Sequence, residues 1–538
     1  MMWGRMLFFF LVCQSAVFSQ TQDAWVYFAD KEDVAASLET PIAILTQKAI
    51  DRKRIHGIAI DARDVPVNEN YILQIKNAEG ITVMAKSKWF NAVHVRGNQS
   101  DIETLNSLGF VVRIDFANKS LNASKSVLQK KQSKLENTVS DFNYGNALNQ
   151  IKMFHGDDLH AADYTGTGMT VAVIDAGFPN VNTMTSFQRL RDAGNLLGSY
   201  DFVNRDADVF TETTSNHGTW VLSDMAGYIE NRFVGTAPDA SYHLFITEDD
   251  TSENPVEESY WVEAVERADS LGVDVINTSL GYTTYDNPNY SYTPSDMNGN
   301  TAFITKGANI AFEKGMLLVN SAGNSGNDSW QIVGAPADAA GVLSIGAVNA
   351  NGNYASFSSK GNTIQPIQKP DVVAQGQTSY VITEHDVIAT ANGTSFSSPI
   401  LAGGIVCLWQ ALPYKTNVEL MQLVRESASQ YANPDYFLGY GIPDLKAALD
   451  VGISSEASIN INDLKLFPNP TEGLLYFNIF SDKNPVTLRL FDVLGREVSR
   501  VLLSIENNPM DISSLSNGIY LAKIESKNTT RTTKILKR

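Results

Sequence analysis

The chain has 538 residues, a formal net charge of −18 and an isoelectric point near 4.9. This length exceeds what one hydrophobic core fills, and a hydrophobic content of 43% is enough for roughly two to four folded domains. The acidic balance excludes a nucleic-acid partner, which would require a basic stripe, and it is compatible with an exported protein.

The first twenty residues have the pattern of a signal peptide. Arg5 is followed by the apolar stretch 6–12, and small residues surround a cleavage point near Ser19 or Gln20. The stretch is too short to span a bilayer. The alternative is a buried N-terminal strand. No later segment is long and apolar enough to be a transmembrane helix.

Removal of residues 1–20 would leave a single cysteine. Cys13 would be lost with the signal peptide, and Cys407 would remain. An intrachain disulfide is then excluded, so packing must stabilise the fold. Cys407 lies in the apolar run GGIVCLW, which predicts an inert buried thiol.

Residues 24–116 predict a small α+β unit. WVYFAD, AVHVRG and FVVRIDF have the composition of strands, and IETLNSLG has that of a helix. The following segment, residues 117–142, is polar and rich in lysine, which indicates an exposed linker.

Residues 143–451 alternate between strands and helices. MTVAVID, SYHLFIT, VDVINTSLG and GMLLVNSAGN are apolar strands, and the stretches between them include ENPVEESYWVEAVERADSLG and NTAFITKGANIAFEKG. Continuous apolar strands separated by helices predict a doubly wound, mainly parallel α/β sheet. Sites in such sheets form at the carboxyl ends of the strands.

The C-terminal part predicts a small all-β, sandwich-like domain. Residues 452–463 form a short polar bridge, and residues 464–538 contain short strands separated by turn signals.

The stretch NGTSFSSPILAGG, residues 392–404, raises the first question about function. A hydroxyl residue and then Pro399 in a first turn are typical of an ordinary helix start. The alternative is that Ser395 is a nucleophile. That alternative requires a base, a group that orients the base, and an oxyanion donor elsewhere in the chain.

Candidates for these roles lie at the ends of predicted elements. VAVID ends at Asp175, LLVNSAGN at Asn324, and His217 begins a predicted helix. A histidine can take the serine proton and return it to the leaving amine. A carboxylate can orient the imidazole, and an asparagine amide can donate to the oxyanion.

These four motifs, in the order Asp, His, Asn, Ser, resemble the active-site motifs of the subtilisin-like serine proteases, the subtilase family (peptidase S8). The resemblance covers about residues 143–450 and rests on VAVIDAG, NHGTWV, NSAGN and NGTSFSSPILAGG. It implies a catalytic triad of Asp175, His217 and Ser395, with Asn324 as the oxyanion residue. No cofactor is then required for the chemistry.

Two strand ends resemble the walls that bind an extended substrate in that family. They comprise Ser279, Leu280 and Gly281 on one side and Ala322 and Gly323 on the other. Small strand edges suit pairing with a peptide backbone. The alternative is that they are merely buried strand ends.

One position departs from the family pattern. The family often has a second histidine in its His-Gly-Thr motif, where this chain has Trp220. That histidine is outside the triad, so the departure concerns local packing and pocket shape.

The flanking regions resemble accessory parts of exported proteases. Residues 21–142 resemble an inhibitory propeptide with its linker, and the cut is expected between about 117 and 142. Residues 464–538 carry LKLFPNPTEG, LRLFDVLGREV, LSNGIYLAKI and TTKILKR, which resemble the C-terminal sorting domain of the type IX secretion system. The alternatives are a permanent accessory domain and a generic β-sandwich. The resemblance implies a secreted or surface-attached protein whose partners are its propeptide and the secretion machinery.

A metal is the least defined expectation. Asp296, Asn298 and Asn300 alternate as in a calcium loop, but Thr301 and Gly307 stand where an EF-hand needs glycine and glutamate. A solvated loop is favoured. Subtilisin-like proteases often bind structural calcium, so a calcium site in the chain is possible, but no ligands are assigned to it.

Two functions remain to be distinguished. One is a secreted serine endopeptidase that acts on protein or peptide substrates. The other is a binding or adhesion protein that keeps the fold without the chemistry. The complete triad favours the enzyme. It also predicts that His217 lies within hydrogen-bond reach of both Asp175 and Ser395.

Overall fold

A computed structural model describes most of the chain, in seven segments: 21–122, 142–211, 215–457, 464–477, 486–503, 509–526 and 530–538. The predicted signal peptide and most of the predicted linker lie outside the described residues. No helix in the described part combines the length and apolarity needed to cross a membrane.

The N-terminal unit is an antiparallel sheet with helices, as predicted. Its strands follow the order β2-β3-β1-β4. Three helices and one strand, α1, α2, α3 and β2, were not predicted and lie between the first two predicted strands. In chain order the elements are β1 (Thr21–Phe28), α1 (Val34–Glu39), α2 (Gln47–Ile55), α3 (Glu69–Lys76), β2 (Ile81–Ser87), β3 (Ala92–Asn98), α4 (Gln99–Thr104) and β4 (Val111–Phe116).

The central region contains the doubly wound parallel sheet that the sequence predicts. In chain order its elements are α5 (Leu148–Lys152), α6 (Gly156–Ala161), β5 (Thr170–Asp175), α7 (Gln188–Asp192), β6 (Leu196–Asp201), α8 (His217–Ala226), β7 (Tyr228–Ile229), β8 (Phe233–Val234), β9 (Ser241–Ile246), α9 (Val256–Leu271), β10 (Val275–Thr278), α10 (Phe303–Glu313), β11 (Leu317–Ser321), β12 (Val342–Val348), β13 (Val372–Gln375), β14 (Gln377–Ile382), β15 (Ile388–Asn392), α11 (Thr394–Ala411), α12 (Asn417–Glu426) and α13 (Leu445–Ala457).

Seven of these strands form the sheet, in the order β13-β12-β11-β10-β5-β9-β6, with parallel neighbours throughout. Side chains alternate across it because successive residues of a strand point to opposite faces. In β5, Val171 and Val173 pack with α8 and α11, whereas Ala172 and Ile174 pack with α9 and α10. Both faces are thus covered, and each buried valine contributes about 1.5–3 kcal/mol. This arrangement explains why the strands are continuously apolar.

The N-terminal sheet docks on α9 and α10. The Trp25 ring stacks on Phe303 with centroids 4.7 Å apart, and the Glu266 carboxylate accepts hydrogen bonds from the backbone N–H groups of Lys88 and Trp89 at 2.9 Å. The stacked rings and the hydrogen-bonded, buried carboxylate make the interface between the N-terminal sheet and the central region specific.

A second contact lies at the far ends of α9 and α10, where α2 meets the central region. Arg52 and Lys53 are buried, and both donate to the buried Asp269 carboxylate; the Lys53 bonds measure 2.8 and 3.0 Å. Lys314 of the central region in turn reaches the buried Asp64 carboxylate at 2.7 Å. Charges from the two parts of the chain therefore neutralise one another away from water, as buried charges require.

The C-terminal part is all β, as predicted. One sheet has the order β19-β18-β21-β22, and another has the order β16-β17-β20. The helix α13 continues to Ala457, into the segment 452–463 that was expected to be a polar linker. The strands are β16 (Leu466–Phe467), β17 (Leu474–Phe477), β18 (Thr487–Phe491), β19 (Glu497–Leu502), β20 (Met510–Asp511), β21 (Gly518–Glu525) and β22 (Thr530–Lys537).

Candidate active site

Asp175 is the last residue of β5, in the middle of the parallel sheet. Its side chain is 2% exposed, and Oδ1 accepts a hydrogen bond from the Ala176 backbone N–H at 2.8 Å. The carboxyl end of a central strand therefore presents a buried carboxylate at the edge where sites form in such folds.

His217 is the first residue of α8, as predicted, and faces that carboxylate. Its Nδ1 lies 2.7 Å from Asp175 Oδ1. Burial lowers the pKa of the imidazole. The charge and hydrogen bond of Asp175, together with the charge of Glu248, raise this pKa by more than burial lowers it, so the net shift is upward. A side chain at Gly218 would lie 2.5 Å from the Gly177 carbonyl oxygen, so only glycine allows this close approach.

Ser395 is the second residue of α11, a helix that is buried along nearly its whole length. Pro399 is the sixth residue of this helix, so the prediction that it lies in the first turn is wrong. A proline lacks the N–H that would bond the carbonyl four residues earlier, which here is that of Ser395. The side chain of Ser279 replaces that donor, since its Oγ donates to the Ser395 carbonyl at 2.9 Å.

Further hydrogen bonds surround the one between Ser279 Oγ and the Ser395 carbonyl. The Ser395 Oγ donates to the Ser279 carbonyl at 3.3 Å, so the two serines are bonded reciprocally. Asn277 Nδ2 donates to Ser279 Oγ at 3.2 Å, and Ser398 Oγ donates to Asn277 Oδ1 at 2.9 Å. The start of α11 is thereby tied to the end of β10. Ser397 instead donates to the Thr394 carbonyl within its own turn.

Asn324 lies after β11 with its amide oriented by the start of α11. Its Oδ1 accepts from the Thr394 N–H at 2.9 Å and from the Thr394 Oγ at 3.0 Å. Thr394 is fully buried, and its Oγ also accepts the Gly323 N–H at 3.1 Å. Because Oδ1 is engaged, Nδ2 is the atom of this amide that is available to donate.

The two predicted substrate walls meet around one cavity of about 170 Å³. Ser279 and Ala322 are buried, whereas Gly281 is exposed at the edge. The lining residues include all five predicted wall residues together with the candidate nucleophile and oxyanion residue: Ser279, Leu280, Gly281, Ala322, Gly323, Asn324 and Ser395.

One predicted contact is not formed. Within the described residues no hydrogen bond joins His217 to Ser395, although the ring of the next residue, Phe396, has its centroid 5.9 Å from that of His217. The Ser395 hydroxyl is directed to the Ser279 carbonyl. Catalytic hydrogen bonds are often long in a resting site and shorten when substrate binds.

Sequence reasoning missed two groups of residues near the site. Thr394 was read only as part of a helix start, yet it holds the candidate oxyanion amide. Several acidic residues between Glu248 and Asp286 gather beside His217. The run ITEDDTSENP directly after a strand was the available signal for the second group.

The loop considered for calcium does not fit that ion. Asp296 Oδ2 accepts from the Thr293 N–H at 2.8 Å and from Lys119 Nζ at 3.1 Å, and Asn298 Oδ1 accepts from the Asn300 N–H at 3.1 Å. Asp296 Oδ2 and Asn298 Oδ1 thus already accept hydrogen bonds within the protein. In the described part of the chain, no group of three or more His, Cys, Asp or Glu residues is arranged to hold a metal.

Comparison with known sequences identifies three regions. The sequence model of the Bacteroidota peptidase S8 propeptide domain matches residues 23–136, and that of the secretion system C-terminal sorting domain matches residues 465–538. The sequence model of the subtilase family matches residues 166–441, about half of the chain. The chain belongs to the subtilase family.

Curated relatives of this subtilase include two bacterial subtilisins. The chain is 30% identical to subtilisin E of Bacillus subtilis over 303 residues, which are 56% of this chain and 70% of that protein. It is 29% identical to subtilisin of Bacillus pumilus over 303 residues, 56% of this chain and 97% of that protein. A solved structure of MycP1 with the N-terminal propeptide removed aligns at 23% identity and a TM-score of 0.45, covering 56% of this chain and 96% of that one.

The predicted family, fold class, enzyme class and location are thereby confirmed. This subtilase is a serine endopeptidase with an N-terminal propeptide, which implies an intramolecular inhibitor. Its C-terminal sorting domain indicates export by type IX secretion and a secreted or surface-attached protein. Cys407 is buried, as predicted.

Proposed function

We propose that this subtilase hydrolyses peptide bonds through an acyl-enzyme on Ser395. His217 is the general base, Asp175 orients it, and Asn324 is the oxyanion donor. The observation that carries the proposal is the 2.7 Å hydrogen bond between Asp175 and His217, beside the cavity that contains Ser395 and Asn324.

In the first step the Ser395 oxygen bonds to the carbonyl carbon of the substrate. Its proton passes to Nε2 of His217, because Nδ1 is bonded to Asp175. The C–N bond then breaks, and His217 returns this proton to the leaving amine. In the second step water attacks the acyl ester, gives a proton to His217, and Ser395 departs with that proton. The upward pKa shift of His217 agrees with a base whose protonated form is stabilised by Asp175.

Two features stabilise the negative charge that develops on the carbonyl oxygen. The Asn324 amide has Nδ2 available, and Thr394 holds the other end of the amide in place. Ser395 lies in the first turn of α11, where the helix end favours negative charge. Oriented donors of this kind act without reorganisation during the reaction.

The substrate binds as an extended chain between the two walls. Ser279, Leu280 and Gly281 form one edge, and Ala322 and Gly323 form the other. Backbone pairing with these small residues aligns the peptide, and the cavity between the walls takes a side chain. The substrates are therefore protein segments that can become extended.

The enzyme is made as an inhibited precursor with five parts. These are a signal peptide (1–20), a propeptide with its linker (21–142), the peptidase (from 143 to the end of α13 at Ala457), a shorter linker (458–463) and the sorting domain (464–538). The extensive docking of the N-terminal sheet on α9 and α10 supports a propeptide that also acts as a folding template. Parallel sheets rich in non-local contacts fold slowly, so a template is useful. The cut falls between about 117 and 142.

A fluorophosphonate probe tests the proposal. The processed enzyme should be labelled at Ser395 and should digest an unfolded protein, and Ser395→Ala should abolish both. A matched Ser397→Ala variant changes a serine in the same turn and should keep both. A processed, folded protein that resists the probe and cleaves nothing would instead support the adhesion alternative.

A further inference from the structure

A second cavity lies beside the Asp175–His217 pair. Its volume is about 510 Å³, and Leu280 lines both this cavity and the smaller one that contains Ser395. No lysine or arginine is among the described residues that line it. Six acidic residues besides Asp175 do so: Glu248, Asp249, Asp250, Glu253, Glu257 and Asp286.

These carboxylates are held close together in fixed positions. The Glu248 carboxylate accepts from the Tyr282 hydroxyl at 2.6 Å, and Glu257 accepts from the N–H groups of Asp249 and Asn254, both at 2.9 Å. Burial, with nearby carboxylates as a further cause, raises the pKa of Glu248 to about 7 and that of Glu257 to about 9. The raised pKa values show that burial and neighbouring carboxylates disfavour the charged forms of these two groups, and a bound cation would stabilise those forms.

A separate observation indicates that a hydrogen-bond donor is missing from this cavity. Asp175 is 1% exposed and lines the cavity, yet its Oδ2 has no hydrogen-bond partner among the described atoms. A buried carboxylate oxygen without a partner is costly. Since the carboxylates here are not arranged as a metal site in the described residues, the ligand chemistry that fits is an N–H cation, an ammonium or a guanidinium.

We propose that this cavity binds a lysine or arginine side chain of the substrate. The side chain belongs to the residue immediately before the one that supplies the cleaved carbonyl. Successive side chains of an extended peptide point to opposite sides, and Leu280 separates the two cavities accordingly. The inference rests on the proposed function, because it names the substrate class of the same site.

The chain contains a segment of the required chemistry. The linker that must be cut, residues 117–142, contains five lysines: Lys119, Lys125, Lys130, Lys131 and Lys134. An acidic cavity beside the catalytic pair matches the charge of this segment. Self-processing and specificity toward other proteins then rest on the same cation recognition.

Paired fluorogenic peptides test the proposal on the processed enzyme. They differ only at the position before the cleaved residue, where one has lysine and the other has norleucine, which has a chain of similar length without charge. We expect kcat/KM to be about tenfold or more higher for the lysine peptide, and the ratio to fall as salt rises because ions screen the attraction. Equal kcat/KM values at low salt would overturn the proposal.

A double variant at the cavity identifies the groups responsible. Glu253→Gln with Asp286→Asn removes two charges while keeping the size of both side chains, and it should reduce the lysine preference at least about threefold. The control Asp163→Asn with Glu230→Gln removes two exposed charges elsewhere on the peptidase and should leave the ratio unchanged. An unchanged ratio in the cavity variant would contradict the assignment.

Labelling separates this inference from the proposed function. If the fluorophosphonate probe labels Ser395 and the enzyme digests unfolded protein without preferring lysine, only the cation cavity is refuted. If labelling and digestion both fail, the proposed function is refuted, and the proposed preference for lysine or arginine is refuted as well. The salt dependence of the wild-type enzyme provides the test even where a variant does not fold.

Discussion

Replacing Ser279 and Pro399 together should reveal how the nucleophile is held. The Ser395 carbonyl has lost its helical donor to Pro399 and accepts instead from Ser279 Oγ at 2.9 Å. Ser279→Ala removes that donor and leaves a buried carbonyl without a partner. Pro399→Ala restores an N–H at position 399, four residues after Ser395, where the helical hydrogen bond belongs.

The size of each effect follows from these contacts. An unsatisfied buried carbonyl costs about 1–3 kcal/mol, so Ser279→Ala alone should lower the free energy of unfolding by that amount. Pro399→Ala alone should cost about 0.4–1 kcal/mol, because proline restricts the unfolded chain. The double variant should recover about 1–2 kcal/mol relative to the sum of the single costs, since the restored N–H takes over the bond.

The assay is chemical unfolding in a Ser395→Ala background, which prevents self-digestion and keeps the main-chain carbonyl. Intrinsic tryptophan fluorescence follows the peptidase transition for the background, both single variants and the double variant. As a control, Ser397→Ala in place of Ser279→Ala should show no coupling with Pro399→Ala, because Ser397 donates to Thr394. Strictly additive costs for Ser279 and Pro399 would refute the exchange of donors.

Four further predictions concern ionisable groups. Asp175→Asn should lower the pKa of His217 and reduce kcat by about 10⁴-fold, because the imidazole loses its orienting charge. The pKa change is measured from the acidic limb of the pH profile of kcat/KM. A limb that stays at the same pH in the variant would contradict this prediction. In the parent enzyme that limb should lie above 6.5, since activity requires neutral His217. Burial raises the pKa of Asp224 well above 3.8, so its contribution to stability is complete below that value and is lost as pH rises through the folded-state pKa. Asp224→Asn should therefore make the melting temperature less sensitive to a rise in pH above 3.8, and an equal decline in both proteins would rule this out. Lys53→Met leaves Asp269 with one cation fewer in a buried site and should speed release of the propeptide, measured by size-exclusion chromatography after cutting, whereas an unchanged release rate would argue against the buried contact.

Local sequence patterns were sufficient for the central sheet and for the edge at which the candidate site lies, but not for the contact between His217 and Ser395, which is not formed within the described part of the chain. A continuous apolar run in a strand indicates burial on both faces, and this holds for β5, in which all six residues are buried. In a parallel sheet the carboxyl ends share one edge, which explains how Asp175 and Asn324, far apart in sequence, lie near one site. His217 and Ser395 lie at the same edge because each is in the first turn of a helix that starts there.

Features that depend on tertiary contacts were not predictable in the same way. The sixth-residue position of Pro399 in α11 is tolerated only because Ser279, from another strand, supplies the missing donor. The acidic cavity requires Asp286 to come beside Glu248 through a long loop, and no local period encodes that approach. The helical segment up to Ala457 was read as linker because its serines and glutamate are polar, although such residues are also tolerated in helices.

The buried charges between α2 and the peptidase have a consequence for timing. Arg52 and Lys53 belong to the propeptide region, whereas their partner Asp269 belongs to the peptidase. The proposed cut in the linker would break one covalent bond and leave these ion pairs in place, so the detached chain could leave only by breaking them. With the proposed cut in the linker, we expect the enzyme to be a two-chain complex at first, and its activity to begin at the rate at which the detached chain dissociates or is digested.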